Sequence, residues 1–188
     1  MISAAELGLS QAFDFITKDQ ERTLASACLL AITPLIAKSA PFPRCFDFGE
    51  GYKDHRVVRL VPSWLAELGA AVMLETKIVP DSFTIYEVSG TPIKHHTSYS
   101  SRFDEPVAIL NLGAEIPMEF VCGDEKMTVP IRRRTLLLLR GQSLKWHRGT
   151  AQTARSYFLI EFRRVARAIP EKSYELMPKT LGQYFLVE

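Results

Sequence analysis

Short apolar segments separated by turn residues fill the second half of the chain. They follow Pro80 and Asp81 and cover residues 82–88, 107–112, 117–122, 127–131, 135–139 and 156–163. Gly123 and Gly141 stand between consecutive segments, beside polar residues typical of tight turns. Many short strands with this punctuation predict an antiparallel barrel or jelly roll.

Two helices are predicted ahead of these strands. Apolar residues at helical spacing follow Thr17, an N-cap residue with acidic residues in the next turn, and predict a helix that ends near Ile32. A second helix should begin near Ser63, where Gly69 is expected to weaken or end it. Residues 44–48 alternate like a further strand. The predicted fold class is therefore mainly β with flanking helices (α+β), the N-terminal helices packing outside the sheets.

The chain is predicted to form one domain. Its 188 residues are enough to bury a core, and no Gly/Ser-rich or Pro-rich linker divides them. We place the domain at residues 1–165 and a C-terminal tail at 166–188. The tail contains Tyr184, Phe185 and Leu186, so we expect it to pack on the domain or on a partner.

Charge and cysteine content narrow the function classes. A net charge of +2 is too small to indicate nucleic-acid binding, but arginines crowd the C-terminal half, including 132–134. They form either solvated strand ends or a surface for RNA. Three cysteines without a C-x-x-C pair favour an intracellular, reducing compartment and no structural zinc, with cytoplasmic and organellar locations both open. The longest apolar stretch, 25–37, contains Pro34 and is too short to cross a membrane.

A series of short motifs runs in one order through the chain. They are Pro62-Ser63-Trp64-Leu65, Tyr86, Gly90, His96, Phe103, Asn111-Leu112-Gly113, residues 134–141, Trp146-His147-Arg148-Gly149 and Glu161-Phe162-Arg163. From Asp14 to about Val165 this order resembles the AlkB-type Fe(II)/2-oxoglutarate dioxygenases, which oxidatively remove alkyl groups from nucleic-acid bases and, in some members, from other substrates. The resemblance implies a double-stranded β-helix, a form of jelly roll.

The resemblance also implies a set of site residues. His96 and His147 would be metal ligands, and Tyr86 and Arg163 would contact 2-oxoglutarate. The iron carboxylate of the family falls at Ser98, and a neutral hydroxyl is a poor Fe(II) ligand. Other departures are Tyr157, which stands where the family has an arginine for the far carboxylate of 2-oxoglutarate, and Thr84 and Leu159 at two polar positions.

These departures predict a catalytically degenerate domain, with no catalytic residue and no cofactor, that serves as a binding or structural module in a larger protein or RNA–protein assembly. A protein partner would dock through the C-terminal tail, and RNA would bind the basic C-terminal half. The alternative is an active Fe(II)/2-oxoglutarate dioxygenase that demethylates nucleic-acid bases or a protein. It would require a carboxylate from Asp104 or a halide beside Ser98, as in related iron halogenases. A register that uses His95 instead places Thr97 at the carboxylate position, and neither register supplies an acid.

Overall fold

The computed structural model describes residues 3–36, 42–51, 56–97, 102–152 and 154–167. The helices are α1 (Ala4–Leu7), α2 (Lys18–Ile32) and α3 (Ser63–Thr76). The strands are β1 (Leu9–Ala12), β2 (Arg44–Glu50), β3 (Val57–Arg59), β4 (Ser82–Val88), β5 (Phe103–Leu112), β6 (Ile116–Cys122), β7 (Glu125–Ile131), β8 (Leu136–Leu139), β9 (His147–Thr150) and β10 (Tyr157–Val165). Ser98 and residues 168–188 of the predicted tail lie outside the described residues.

The helix predicted after Thr17 is confirmed as α2. The Thr17 side chain accepts the backbone N–H of Gln20, whose own side chain accepts the N–H of Thr17, so two free donors of the first turn are satisfied. One face of α2 buries Cys28 and Ile32. The local cap therefore explains where this helix begins.

The second helix begins at Ser63 as predicted, but the expectation that Gly69 ends it is wrong. The helix α3 continues through Gly69 to Thr76. A Cβ atom at Gly69 would lie 3.1 Å from the ring of Phe83 and 3.1 Å from Pro80. Glycine at this position lets α3 lie close to the sheet without displacing Phe83 or Pro80, at the cost of its low helix propensity.

Two antiparallel sheets confirm the predicted fold class. One has the strand order β1-β8-β5-β10-β4-β2-β3, and the other has the order β7-β6-β9. Because β-strand side chains alternate between faces, the large sheet has two buried sides. On β10, Leu159 packs between the sheets, whereas Ile160 and Phe162 pack on the side of the helices. The result is a three-layer arrangement in which the small sheet covers part of the large one.

Several short elements were not predicted. They are α1, β1, β3 and β9. The strand β1 pairs with β8, from Leu9 opposite Leu139 to Ala12 opposite Leu136, and β9 carries Arg148 and Gly149 instead of an apolar alternation. Such strands form because a partner strand lies beside them, so their own sequence contains little signal.

The arginine run at 132–134 is built into the fold. The Nε and Nη2 atoms of Arg133 donate to Glu21 at 3.0 and 2.6 Å, and Arg134 donates to Asp14 at 2.6 Å. The Arg132 guanidinium lies 5.4 Å from the ring centroid of Phe13. Purely solvated strand ends therefore do not describe this run, because two of its three guanidinium groups hold carboxylates of the N-terminal region.

The three cysteines are free, with Cys28 buried and Cys45 and Cys122 exposed. Among the described residues, no helix has the length and apolar character that crossing a bilayer requires.

Candidate functional site

A small cavity lies between the two sheets, at the end where β9 approaches β10. The cavity has a volume of about 20 Å³, which is enough for one water molecule. The residues that line it come from both sheets and from the segment after β4: Tyr86, Ile93, His96, Ile109, Met118, Arg148, Gly149, Thr150, Leu159 and Glu161.

The direction of each side chain near this cavity follows from one backbone bridge. The N–H of His96 donates to the carbonyl of Arg148 at 2.9 Å, and the N–H of Arg148 donates to the carbonyl of His96 at 2.7 Å. Residues directly opposite each other share a face of the sheet, so both side chains point inward. Arg148 is 3% exposed, whereas His147 is exposed and lies opposite Val121.

The two predicted metal histidines are thus not brought together. His96 lines the cavity, while His147 points away from it and Arg148 takes the inward position on β9. The neighbouring His95 is also turned outward, and its Nε2 atom lies 3.1 Å from Oε2 of Glu119. As expected for adjacent strand residues, only one member of the His95-His96 pair faces inward.

An ion pair occupies the polar side of the cavity. Nη2 of Arg148 donates to Oε1 of Glu161 at 2.5 Å, and the Tyr86 hydroxyl donates to Oε2 of the same carboxylate at 3.2 Å. The rings of Tyr86 and His96 stack with centroids 6.2 Å apart. Glu161 is 2% exposed, and the network around its buried carboxylate connects β4, β9 and β10.

Burial and charge set the protonation states in this network. Burial alone would raise the pKa of Glu161, but Arg148 and Arg163 outweigh it and lower that pKa to about 2. Burial, helped by Arg148, lowers the pKa of His96. Burial and the Glu161 carboxylate raise the pKa of Tyr86. At neutral pH the site therefore holds an anionic glutamate, a guanidinium, a neutral imidazole and a phenol that donates a hydrogen bond.

Arg163, predicted to contact 2-oxoglutarate, lies further along β10 and outside the cavity lining. It donates to Oγ1 of Thr84 and lies 3.6 Å from Oδ1 of Asp47. Its guanidinium also sits 4.7 Å from the ring centroid of Phe103. Its Nε atom is buried and has no hydrogen-bond partner among the described residues. Tyr86, in contrast, does line the cavity.

Tyr157 closes one side of the inter-sheet core. The ring is 2% exposed, and its hydroxyl donates to Oγ1 of Thr150 at 2.9 Å. Thr150 in turn accepts the backbone N–H of Ile93 at 3.0 Å. A satisfied phenol therefore fills the position at which the resemblance implies an arginine.

Comparison with solved structures identifies the fold. The AlkB homologue OsALKBH1 matches with a TM-score of 0.61 and 11% identity, covering 84% of this chain and 98% of its own. The chain has the fold of AlkB-like 2-oxoglutarate oxygenases. A prolyl-4-hydroxylase from Pseudomonas putida matches over 87% and 95% of the two chains, with a TM-score of 0.55 and 15% identity.

A third structure with this oxygenase fold is an oxidoreductase of the 2OG-Fe(II) oxygenase family from Burkholderia pseudomallei. It has a TM-score of 0.54 and 10% identity, with 86% of each chain covered. No family model matches the sequence, and no curated protein matches it. The shared feature is therefore the fold.

Among the described residues, the side chains around the cavity do not form the ligand set of the iron that the fold family implies. Within the described residues, no group of three or more His, Cys, Asp or Glu side chains is placed to hold a metal ion. His96 has the one suitable free atom, since its buried Nε2 has no hydrogen-bond partner there. The carboxylate of Glu161 is bound by Arg148.

Sequence analysis missed the two residues that dominate the cavity, Arg148 and Glu161. A signal was available for the first. Trp146 is 5% exposed, and strand alternation from a buried Trp146 sends His147 outward and Arg148 inward. For Glu161 the sequence gives no such signal, because its partner comes from a strand that is distant in the chain.

Proposed function

We propose that this chain is a catalytically degenerate AlkB-like domain that acts as a binding or structural module in a larger protein or RNA–protein assembly. The observation that carries the proposal is the ion pair between Arg148 and Glu161 beside His96. The Arg148 guanidinium would repel a second cation in the same cavity. The carboxylate that could offset this repulsion already accepts hydrogen bonds from Arg148 and Tyr86.

The size and lining of the cavity support the same proposal. The open space of about 20 Å³ is enough for one water molecule, so the side chains of the cavity lie close together. Leu159 and Tyr157 stand at positions where the resemblance implies polar contacts to the cosubstrate. A planar guanidinium binds a carboxylate with two hydrogen bonds, and a phenol that already donates to Thr150 does not replace it.

An anaerobic titration of the full chain with Fe(II) and 2-oxoglutarate tests the proposal. Calorimetry should show no saturable binding of the two together, and the metal-to-ligand charge-transfer absorbance of such complexes should not develop. An active oxygenase of the same fold is the positive control. Saturable binding of both compounds with this absorbance would overturn the proposal.

An active dioxygenase remains the second candidate function, and His96 is the observation that favours it. Its Nε2 atom is buried, points into the cavity and has no partner among the described residues, as a metal ligand would. If the titration shows binding, assays for demethylation of nucleic-acid bases and of protein side chains follow directly.

For the partner of the module, the ion pairs favour a protein over RNA. Arg133 and Arg134 are bound to Glu21 and Asp14, and further along the basic half Arg164 and Arg167 contact carboxylates. These pairs reduce the positive field that RNA would meet. The tail, in contrast, carries an apolar run at 184–187. We therefore propose docking of a protein through the C-terminal tail.

Salt and truncation separate the two partner classes. Docking through the tail should be lost when the chain is cut after Pro170, and it should change little with salt. RNA binding through the basic half should instead weaken steeply, by about three orders of magnitude or more between 50 and 200 mM salt for six or more phosphate contacts. Steep salt dependence with no effect of truncation would overturn the protein-partner proposal.

We also propose an intracellular, reducing compartment. Cys122 is a free and exposed thiol, and exposed free thiols are poorly suited to an oxidising environment. Cys45 adds little to this argument, because burial of its sulfur raises its pKa to about 12 and leaves almost no thiolate. Purification without reductant should therefore produce disulfide-linked oligomers that reductant reverses. A chain that stays fully reduced and monomeric in air would remove this argument.

A further inference from the structure

We infer that the guanidinium of Arg148 takes the place of a metal ion in the cavity. As the resident cation it neutralises the carboxylate of Glu161. It also links the His96–Arg148 bridge to the last strand, β10. This inference goes beyond the proposed function because it assigns a role to the ion pair itself. It rests on the same cavity, so the experiments below are chosen to separate the two.

The first step concerns position 148. His96, in the segment after β4, and Arg148, on β9, are directly opposite in an antiparallel bridge. Side chains in this relationship have Cβ atoms about 4.5–5.5 Å apart and point to one face. A histidine at position 148 would therefore face His96 across the cavity. His147 does not face it, because its side chain points to the opposite face.

The second step concerns Glu161. A buried carboxylate is costly unless a cation or several hydrogen bonds compensate it. Here the compensation comes from Arg148 at 2.5 Å and Tyr86 at 3.2 Å. Two imidazoles and one carboxylate around open positions form a typical divalent first-row metal site. The cavity contains one such imidazole and the carboxylate, and a guanidinium stands where the second imidazole would complete the set.

The substitution Arg148→His tests this assignment. With His96 and Glu161 it should create a site for a divalent ion, so Co(II) should bind one-to-one and at least 100-fold more tightly than to the wild-type chain. Calorimetry measures the affinity, and the visible Co(II) spectrum reports nitrogen ligands. As matched controls, adding Glu161→Gln or His96→Ala to Arg148→His should each weaken Co(II) binding at least tenfold.

The outcomes separate the two proposals. If wild-type protein binds Fe(II) and 2-oxoglutarate, the proposed function fails. If wild-type protein does not bind them and folded Arg148→His binds Co(II) no more tightly than wild type, the inference fails alone. Binding to Arg148→His that survives both control substitutions would also overturn it, because the ion would then lie elsewhere.

A second measurement covers the case in which Arg148→His does not fold. Arg148→Met removes the guanidinium that donates to the buried carboxylate of Glu161 and should lower the melting temperature by roughly 6–20 °C. The double substitution Arg148→Met with Glu161→Met removes both charges and should recover at least half of that loss. The single substitution Glu161→Met completes this comparison. If the losses in melting temperature from Arg148→Met and from Glu161→Met simply add in the double substitution, the guanidinium is not the resident cation of this carboxylate and the inference fails.

Discussion

His96 and Arg148 face each other across an antiparallel bridge with backbone hydrogen bonds of 2.9 and 2.7 Å in the two directions. The bridge directs both side chains into the inter-sheet cavity. From there Arg148 reaches Glu161 on β10, so one short pairing links the segment after β4 to the last strand. The chemistry of the cavity is therefore set by the residue that follows the predicted histidine His147.

The Glu161 ion pair predicts a loss of stability in acid. The folded-state pKa of Glu161, about 2, lies below the ordinary value of 4.5, so its stabilisation is present above about pH 4.5 and is lost as pH falls toward 2. Glu161→Gln should lower the free energy of unfolding at pH 7 by about 3–5 kcal/mol. In urea titrations, the difference in the free energy of unfolding between Glu161→Gln and wild type should become smaller as the pH falls from 4.5 to 2.

Glu119→Gln is the matched control for this prediction. Glu119 pairs with Lys126 and His95, whose side chains are half exposed, and exposed pairs contribute little to stability. This variant should therefore follow the wild-type curve closely. Equal effects of Glu161→Gln and Glu119→Gln at pH 7 would contradict the role given to Arg148.

Where signals are local, the sequence is sufficient to predict the fold. Thr17 and Gln20 form a reciprocal cap, so the start of α2 can be predicted from four residues. Residues 82–88 alternate and follow Pro80, and the bounds of β4 agree with that pattern. The short apolar strands and the turn chemistry between them predict an antiparallel barrel or jelly roll, and the family resemblance implies the double-stranded β-helix.

The candidate site is harder to predict because it depends on pairings between distant residues. Glu161 meets Arg148 and Tyr86 only because β10 lies beside β4 and β9 returns over it in the second sheet. In a four-residue strand such as β9, a shift of one residue exchanges His147 for Arg148 on the inward face. Motif order alone did not fix that choice.

The raised pKa of Asp81 predicts a pH dependence of stability opposite in sign to that of Glu161. Burial raises its pKa to about 6 from the ordinary 3.8, although the N–H of Val165 donates to its Oδ1 at 2.8 Å. The folded state therefore binds more protons than the unfolded state between about pH 3.8 and 6, and the Asp81 contribution to stability falls as pH rises through this range.

Asp81→Asn should remove this dependence, because asparagine keeps an oxygen acceptor for Val165 and does not titrate. Relative to wild type, the variant should gain stability as pH rises from about 4 to 6. Urea unfolding at several pH values measures the difference between the two proteins. Parallel curves for the two proteins would show that Asp81 does not titrate in this range.

The burial and contacts of Glu21 predict which ion pair of the N-terminal region stabilises the fold. It is 2% exposed and accepts the backbone N–H of Gly113 at 2.9 Å in addition to two bonds from Arg133. Glu21→Ala leaves the Gly113 donor unsatisfied, so we expect a loss of about 1–3 kcal/mol in the free energy of unfolding. Arg22→Ala breaks a pair with Asp19 that is almost fully exposed, and it should change stability by less than about 0.5 kcal/mol.

Gly149 predicts how closely β9 must approach the segment before His96. A Cβ atom at position 149 would lie 2.7 Å from the carbonyl oxygen of Ile93 and 3.0 Å from the backbone N of His95. These are backbone atoms that cannot rotate away, so Gly149→Ala must push the two segments apart. We expect a loss of about 1–3 kcal/mol and faster amide exchange at His96 and Arg148.

Gly69→Ala provides the matched comparison for Gly149→Ala. Its nearest neighbours are side-chain atoms of Phe83 and Pro80 at 3.1 Å, which can shift, and alanine also improves helix propensity by about 1 kcal/mol. Gly69→Ala should therefore lower the free energy of unfolding by less than Gly149→Ala does, and it should leave the amide exchange rate of His96 unchanged. If Gly149→Ala were the milder of the two, or left exchange at the bridge unaltered, the cavity would not depend on the close approach of β9, and the inward position of Arg148 would need another cause.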